Sequence, residues 1–550
     1  MSDTAKAGSV AAPATAAAQA TALPAWGALR YPVFRWLWIA TVVSNIGTWM
    51  YSAASGWLMT SLNPSPLLVS LVQVANSLPL FLLALPAGAL ADLCDKRRLI
   101  LWLEILTMLL SLVFALLVSL HAVGPATLLN FIFLLSILTA LETPAWQAIV
   151  PLLVPAPALP SAIAVNSVGI NISRVVGPAI TGVIILGLGI AAPFWLDAIS
   201  NAGVIVVITL WRPPARATAR GLPAEHLGAA MRAGVRYARY NIPLRATLIH
   251  AMGFFLFASA YWALLPLLAR SQLHGGPGLY GTLLAAIGAG AVGGAFLLPR
   301  ARALSGGPNG VVALGEAGTA AALLLFGLAQ QPWLAFIACL LAGACWIAVL
   351  ATLSVAAQTV LPDWVRGRGL AVYVTVFFGS LTVGSAIWGE AAEHLGLAPA
   401  HYLAAAGALV AMVLARRWRL RSGPAADLTP SMHWPQPVVA ADVDKDAGPV
   451  LVTVEYQVAA ENRGAFIAAI GPLARERRRD GAYEWHLFHD SADPERMLET
   501  WLLDSWLEHM RQHQRITRAD RDLEARVQQL ARERPRITHF IAARPEDSAR

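Results

Sequence analysis

The chain has 550 residues, of which 57% are hydrophobic and only 13% are charged, and its mean hydropathy is +0.59. A soluble globular protein carries about 25% charged residues, so this composition excludes an ordinary soluble fold and indicates a membrane protein. The formal net charge of +8 does not indicate nucleic-acid binding, because the basic residues lie mainly beside apolar runs and not in one polar patch.

The chain begins with an Ala- and Thr-rich stretch that lacks the basic and apolar regions of a signal peptide. We expect residues 1–30 to form a disordered cytoplasmic tail. Apolar runs of ~20 residues or more follow, the length that a helix needs to cross the hydrocarbon core. There are twelve of them, at Phe34 to Leu62, Leu67 to Ala91, Leu99 to Leu120, Pro125 to Val150, Ser161 to Leu188, Ala192 to Trp211, Ala246 to Ala269, Leu279 to Leu298, Gly310 to Leu328, Trp333 to Ala356, Gly369 to Ala391 and Ala400 to Arg416.

The twelve runs divide into two groups of six. We predict an all-α membrane protein with a bundle at 31–211, a cytoplasmic loop at 212–245 and a second bundle at 246–421. Short matches at one constant offset indicate a parallel repeat of the two halves, as in major-facilitator transporters. They join Gln147, Pro151 and Val154 in the first half to Gln358, Pro362 and Val365 in the second.

Basic residues lie in every second loop between the runs, whereas the opposite loops offer essentially only Arg270. This asymmetry predicts that the basic loops and both termini are cytoplasmic. We therefore expect a multi-pass protein of the bacterial inner membrane.

The loop after the second run reads Gly88-Ala-Leu-Ala-Asp92-Leu-Cys-Asp95-Lys96-Arg97-Arg98. It resembles the signature loop of the major facilitator superfamily, although the family usually has glycine where this chain has Asp95. The resemblance implies a conformational gate, in which glycine permits close helix approach and the charges form a breakable network. An ordinary positive-inside loop is the alternative. The gate residues would be Gly88, Asp92, Lys96, Arg97 and Arg98.

The fifth run contains Arg174-Val-Val-Gly177-Pro178-Ala-Ile-Thr-Gly182. It resembles the glycine-proline motif of proton-coupled drug exporters, which implies export and not uptake. Pro178 would bend the helix, and Gly177 and Gly182 would permit tight contact across the interface between the bundles. A plain packing kink is the alternative.

Further segments lie at Ser44 to Met50, Leu78-Pro79, Ala145 to Gln147 and Ala162 to Ser167. Together they resemble the transmembrane secretion effector branch of the superfamily, which is enterobactin-exporter-like. The resemblance implies proton-coupled export of a small, siderophore- or drug-like metabolite. An importer of the same fold and a membrane-tethered enzyme are the alternatives. The sequence has no Walker-type phosphate loop, which favours an ion gradient over ATP as the energy source.

An ionisable side chain inside a span costs roughly 2.5–3.5 kcal/mol and usually serves function. We expect Glu142 to carry the coupling proton and Arg174 to shape the electrostatics of the cavity. Glu104, Glu316 and Asp197 are further candidates for the proton, or they snorkel to an interface or cap a helix. The candidates for lining the substrate cavity, each also readable as a helix-packing amide, are Asn45, Gln73, Asn76, Asn166 and Asn171.

Hydropathy falls after a linker predicted at 422–448, and we expect a soluble domain at 449–545. Alternation and amphipathic periods predict the order β-α-β-β-α-β of a ferredoxin-like fold. The spacing resembles the antibiotic-biosynthesis-monooxygenase-like domain, which implies a homodimer. The predicted elements are a strand at Val450 to Val458, a helix at Asn462 to Asp480, strands at Tyr483 to His489 and Met497 to Leu503, a helix that Ser505 and Glu508 cap and that continues toward Leu530, and a strand at Ile537 to Ala542.

Four histidines of this domain, His486, His489, His509 and His513, raise the question of a metal or haem site. We interpret them as a solvated basic face, because no Cys or Glu-x-x-His pattern joins them. Neither these residues nor Cys94, Cys339 and Cys345, which lack metal-ligand spacing, predict a metal or a cofactor.

Overall fold

The computed structural model describes residues 26–212, 227–421, 426–435, 437 and 443–543. The membrane part consists of long helices joined by short connections. Its helices are α1 Pro32–Leu62, α2 Pro66–Leu93, α3 Lys96–Ser119, α4 Pro125–Leu153, α5 Leu159–Leu188, α6 Ala192–Leu210, α7 Leu227–Tyr240, α8 Ile242–Leu267, α9 Pro277–Leu304, α10 Pro308–Leu328, α11 Pro332–Thr359, α12 Arg366–Leu395 and α13 Leu397–Ala415.

Eleven helices of the described part are long and apolar enough to cross a membrane, namely α2 to α6 and α8 to α13. Helix α1 has 31 residues but is more polar, and it packs against α5 and α6. Ser44 on α1 donates a 2.7 Å hydrogen bond to Asn201 on α6. On α3, Leu106, Leu109 and Val113 form an exposed apolar stripe, which a bilayer would cover.

Prolines mark the starts of most of these helices. Nine helices carry proline at the first or second position, where the missing N–H would have had no partner inside the helix. Ser65, Asp95 and Asn241 cap α2, α3 and α8 by accepting backbone N–H groups. The helix boundaries therefore follow local chemistry that is visible in the sequence.

The long helices form two groups, α1–α6 and α8–α13, which meet along two helix pairs. Helix α2 packs along α12, where the Ser77 and Thr382 hydroxyls lie 2.8 Å apart. Helix α5 packs along α9, and a Cβ on Gly182 would lie 2.7 Å from the Pro277 carbonyl oxygen. The predicted close approach at Gly182 is therefore present across the interface between the halves.

Two predicted segment boundaries are wrong. Within the predicted disordered tail, residues Gly27–Arg30 form a 3₁₀ turn, and Ala28 N–H donates to Ser161 Oγ on α5 at 3.0 Å; residues 1–25 lie outside the described part. Within the predicted loop at 212–245, residues Leu227–Tyr240 form the amphipathic helix α7. The prediction missed α7 because its polar face lowers its hydropathy.

The C-terminal domain holds one four-stranded antiparallel sheet of order β2-β3-β1-β4. Val450, Val452 and Val454 of the central strand bury their side chains against Phe466 and Trp501. The elements are β1 Val450–Gln457, α14 Arg463–Arg479, β2 Tyr483–His489, β3 Arg496–Leu503, α15 Trp506–Arg515, α16 Arg518–Gln528 and β4 Arg536–Ile541.

The second helix of this domain differs from the prediction. It breaks into α15 and α16 at Ile516, and Thr517 and Asp520 form a reciprocal capping box for α16. Ser505 accepts a hydrogen bond from Glu508 N–H, whereas a return bond from the Glu508 side chain is absent among the described contacts of α15. Because this capping box lies inside the predicted helix, the predicted helix is divided into two shorter helices, α15 and α16.

Part of the predicted linker belongs to this domain. Pro430 forms a β-bridge with Thr517, and the Trp434 indole donates to Glu524 Oε2 at 3.0 Å. Residues 422–425, 436 and 438–442 of the linker lie outside the described part. The segment from 426 to 435 therefore belongs to the domain.

Candidate functional site

A cavity lies between the two halves of the bundle. Residues of α1, α2 and α5 line one side, and residues of α8, α9 and α11 line the other. Its free volume in this state is about 60 Å³, well below the roughly 300–1,000 Å³ of ligand pockets. The walls combine the aromatic side chains of Trp49, Trp262, Tyr280 and Trp346 with the polar side chains of Ser52, Gln73, Asn76 and Arg174.

Arg174 is the charged residue of this cavity wall. Its guanidinium lies 5.3 Å from the centre of the Trp49 ring, and its buried Nε has no hydrogen-bond partner. The sequence predicted that Arg174, in the fifth span, shapes the electrostatics of a cavity. The structure provides the cavity, and no ion pair to Arg174 is found among the described residues.

A second cavity, with a free volume of about 200 Å³, adjoins the first and lies within the N-terminal half. Trp49, Ser52, Val72 and Asn76 line both cavities. Asp197 lines the second one, where it accepts a 2.9 Å hydrogen bond from Ser111 Oγ. Asp197 is only 4% exposed, so the alternative that it snorkels to an interface is wrong.

Glu104 on α3 and Glu142 on α4 are neighbouring carboxyl groups that interact with one another. The Trp146 indole donates to Glu142 Oε1. Glu104 is 5% exposed and therefore does not snorkel either. The sequence named both residues but had no means to show that they touch.

Glu316 in the C-terminal half pairs with a histidine that the sequence analysis missed. His250 Nδ1 lies 3.4 Å from Glu316 Oε1, and His250 Nε2 lies 2.9 Å from the Trp418 carbonyl oxygen. Glu316 is 4% exposed, which excludes snorkelling to an interface. His250 could have been found as an ionisable residue in the seventh predicted span.

The five amide candidates fall into two groups. Gln73 and Asn76 line the cavities, and Asn76 accepts a 3.0 Å hydrogen bond from Ser136. Asn45, Asn166 and Asn171 are not among the lining residues, and Asn171 is exposed.

The predicted gate loop is only partly described, because the side chain of Asp92 lies outside the described residues. A Cβ on Gly88 would meet nothing within 4 Å, so the expected close helix approach at Gly88 is wrong. Arg97 donates to the carbonyl oxygens of Ile208 and Thr209 at 3.0 and 2.7 Å, which satisfies the end of α6. Asp95 caps α3, whereas Lys96 lies half-buried and Arg98 exposed.

The glycine-proline motif lies where α5 meets two other helices. A Cβ on Gly177 would lie 2.6 Å from Trp49 Cβ on α1, so this glycine permits contact within the N-terminal half and not across the interface. Pro178 lines the central cavity, and α5 runs unbroken through it.

Polar contacts join the two halves at the bundle end opposite the basic loops. We refer to these contacts as the far-end clamp. Glu393 on α12 accepts hydrogen bonds from Ser65 Oγ at 2.6 Å and Leu67 N–H at 3.1 Å. Arg270 donates to Ser61 Oγ at 2.8 Å and to Thr60 Oγ1 at 3.2 Å. The sequence singled out Arg270 only for its charge and missed Glu393.

The C-terminal domain contacts the basic end of the bundle. Arg236 on α7 lies 3.4 Å from Glu508, and the Arg515 guanidinium lies 4.6 Å from the Trp364 ring centre, between α11 and α12. Burial opposes the charge of Glu508, but the Arg515 and Arg236 guanidiniums hold its pKa below the usual range. The domain is therefore attached to the C-terminal half through charged and aromatic contacts.

The predicted solvated face of histidines is wrong for His509, which is fully buried. His509 Nε2 lies 3.2 Å from His513 Nε2, and burial lowers the pKa of His509 to about 3. His486 and His489 are exposed. Within the described residues, no group of three or more His, Cys, Asp or Glu side chains is arranged to hold a metal ion.

Comparison with known proteins identifies relatives for nearly the whole chain. The sequence profile of the transmembrane secretion effector family matches residues 23–546. The staphyloferrin A transporter of Staphylococcus aureus is 25% identical over 257 residues, which cover 46% of this chain and 64% of that protein. The uncharacterized MFS-type transporter YhhS of Escherichia coli K12 is 38% identical over 125 residues, or 21% and 30% of the two chains. The chain therefore matches less than two thirds of the length of these relatives.

Solved structures share the fold of the bundle. A bacterial homolog of the human lysosomal transporter Spinster, inward-facing and occupied, has a TM-score of 0.54 at 16% identity and covers 72% of this chain and 99% of its own. A POT family transporter in complex with a thioalcohol-conjugated peptide has a TM-score of 0.57 at 12% identity, covering 69% and 94%.

Proposed function

Because the chain belongs to the transmembrane secretion effector family of major-facilitator transporters, we propose that it is a secondary active exporter of a small metabolite. The observation that carries this proposal is the cavity that both halves line. A site between two halves changes the side from which it is accessible when the halves rock against one another. The far-end clamp blocks access from one side, which fits one state of such a cycle.

The proposed topology has twelve spans, counting α1, in the bacterial inner membrane. The basic loops then lie in the cytoplasm together with both termini and the C-terminal domain. The contact between that domain and α7 supports this placement, because it joins the domain to the basic end of the bundle. The far-end clamp would face the outside.

We assign proton coupling to the acidic residues of the N-terminal half. Glu142 would carry the coupling proton, and Glu104 would assist it as the neighbouring carboxyl group. Asp197 lies on the second cavity, from which protonation could be linked to substrate binding. Glu316 has a histidine partner and lies in the other half, so we treat it as a less favoured candidate for the coupling proton.

The resemblance to a staphyloferrin A transporter supports a siderophore-like substrate, and a drug-like substrate is the alternative. We propose export as the direction of transport because α5 carries the glycine-proline motif. An importer of the same fold would carry the same cavity, so direction needs a direct measurement.

We propose that the C-terminal domain is a ferredoxin-like accessory module that pairs with a second copy. The sheet face opposite the helices exposes Phe488 and Phe540, and such an apolar face fits a homodimer. The alternative is a membrane-tethered monooxygenase-like enzyme. If deletion of the domain abolished the release of an oxidation product while transport persisted, the enzyme alternative would be favoured.

The first experiment compares metabolites inside and outside cells with and without this protein, in iron-rich and iron-poor media. Export predicts a compound that accumulates inside the deletion strain and disappears from its medium. A compound that remains in the medium of the deletion strain, but is removed from the medium by cells with the protein, would instead indicate import. Equal profiles in both media would overturn the siderophore assignment.

A further inference from the structure

Among the described residues that line the central cavity, one carries a charge, and none carries the opposite charge. Arg174 is the charged side chain among the residues of this cavity wall. Asp197 opens into the neighbouring cavity, where its carboxylate accepts a hydrogen bond from Ser111. A positive charge within a span is costly unless a partner offsets it. An anionic ligand beside Arg174 would therefore offset this cost.

Two residues of this wall hold buried hydrogen-bond donors. Among the described residues, the Nε of Arg174 and the indole Nε1 of Trp262 have no acceptor, and both residues line the cavity. A buried donor without an acceptor costs about 1–3 kcal/mol. These two donors, one of which belongs to a guanidinium, favour a ligand that supplies oxygen acceptors.

The remaining walls are aromatic. Trp49 and Tyr280 line the cavity from α1 and α9, and Trp346 lines it from α11. Trp57 stacks on Tyr280 with ring centres 5.9 Å apart, which holds that ring in place. Such flat apolar surfaces suit the body of an aromatic or otherwise planar molecule.

We propose that the substrates of this site are organic anions, with a carboxylate or similar oxyanion held by Arg174 and an aromatic or planar apolar body held by the tryptophans. This inference rests on the proposed function, since it names the substrate class of the same cavity. A planar guanidinium donates two parallel hydrogen bonds to a carboxylate, which a lysine ammonium does not reproduce. The free volume of about 60 Å³ requires that the halves separate to admit such a molecule.

The test uses the full chain in lipid nanodiscs and three probes of one shape: 2-naphthoate, neutral 2-naphthamide and cationic 2-naphthylmethylammonium. Binding is measured by calorimetric titration. We expect the wild type to bind 2-naphthoate about tenfold or more tightly than the amide, which corresponds to a charge-assisted hydrogen bond, and to bind the ammonium most weakly.

Arg174→Gln should reduce the preference for 2-naphthoate to about twofold or less, and Arg174→Lys should retain part of it. The matched control is Arg300→Gln, because Arg300 is exposed at the basic end of α9 and its loss removes the same charge outside the cavity. This control should keep the full preference. Size-exclusion profiles of the variants establish that they are folded.

Equal affinity of the wild type for the three probes, no binding of any of them, or a preference that survives Arg174→Gln would each overturn the inference. The titration needs no transport, so its outcome is separate from that of the export experiment. If export is shown and the anion preference is absent, only the substrate class is wrong. If the preference is present and export is absent, only the proposed function is wrong.

Discussion

At the residue scale, the Glu104–Glu142 pair is the proposed site of proton coupling. In Glu142→Gln the amide oxygen can still accept from Trp146, but the side chain can no longer exchange a proton. We expect transport driven by a pH gradient to fall about tenfold or more, since coupling between two ligands is typically worth 1–3 kcal/mol. Proton flux into proteoliposomes, followed with an internal pH dye, measures the effect.

Glu390→Gln is the control for this prediction. Glu390 is exposed and pairs with His394 at 2.9 Å, so the variant removes a carboxylate outside the pair. Its transport should equal that of the wild type. Transport by Glu142→Gln with an unchanged pH dependence would remove Glu142 from the mechanism.

A second residue-scale prediction concerns His509 in the C-terminal domain. Burial lowers the pKa of His509 to about 3, whereas an exposed histidine titrates at about 6.5. Between these values the unfolded chain binds the additional proton, so stability falls as the pH falls. Relative to His509→Phe, the wild-type domain should lose about 1 kcal/mol of its free energy of unfolding per pH unit between pH 6 and 4.

Thermal melts of the full chain, read at the transition of the C-terminal domain, measure this difference. The comparison with the variant is needed because the pKa of Glu476 is raised to about 9, by burial and by Asp520, which changes stability in the opposite direction. Exposed His489 provides the control, and His489→Phe should keep the wild-type pH dependence. Parallel curves for the wild type and His509→Phe would contradict the prediction.

At the element scale, the far-end clamp connects the end of α12 to the start of α2. Glu393→Ala removes both hydrogen bonds of the Glu393 carboxylate, so the far side should open more often. A cysteine at Ser52, on the cavity wall, reports this opening when Cys94 is replaced by serine and the two other cysteines stay buried. We expect an impermeant maleimide, added on the far side, to react about threefold to tenfold faster.

The neighbouring carboxylate again provides a matched comparison. Glu390→Ala removes a charge less than one turn away without touching α2, and it should leave the labelling rate unchanged. If both variants label at the wild-type rate, the clamp does not hold the far side closed.

At the scale of the whole molecule, the bundle and the C-terminal domain are joined by few contacts. Truncation after Arg421 removes the domain but leaves the cavity, the carboxyl pair and the clamp complete. We expect the truncated protein to remain monodisperse in detergent and to transport within about threefold of the wild-type rate, because domain contacts of this kind are usually separable. Amide hydrogen exchange in α7 and near Trp364 should be faster in the truncated protein than in the wild type.

Arg515→Ala in the full chain is the milder companion of the truncation. It removes the guanidinium that lies over the Trp364 ring. Amide hydrogen exchange near Trp364 should rise, but less than in the truncated protein. Loss of transport in the truncated protein, with the bundle still folded, would show that the domain takes part in the transport cycle.

Sequence patterns located most of the membrane elements because their signals are local. Apolar runs, proline at helix starts and basic loops depend on neighbouring residues and on the bilayer, so they predicted the spans to within a few residues. Helix α7 and the break at Ile516 escaped prediction, because amphipathic pattern and capping compete with hydropathy there. The linker was misplaced because Trp434 packs on Glu524, 90 residues further along the chain.

The sequence by itself therefore determined that this is a membrane protein of two helical bundles with a small mixed domain, since hydropathy, charge asymmetry and short motifs carry that information locally. Only the tertiary structure decided that Arg174 faces a cavity between the halves, that Glu104 lies beside Glu142, and that Glu393 ties the halves together. The physical reason is distance along the chain: Ser65 and Glu393 are 328 positions apart, and only the packing of α2 against α12 brings them into contact.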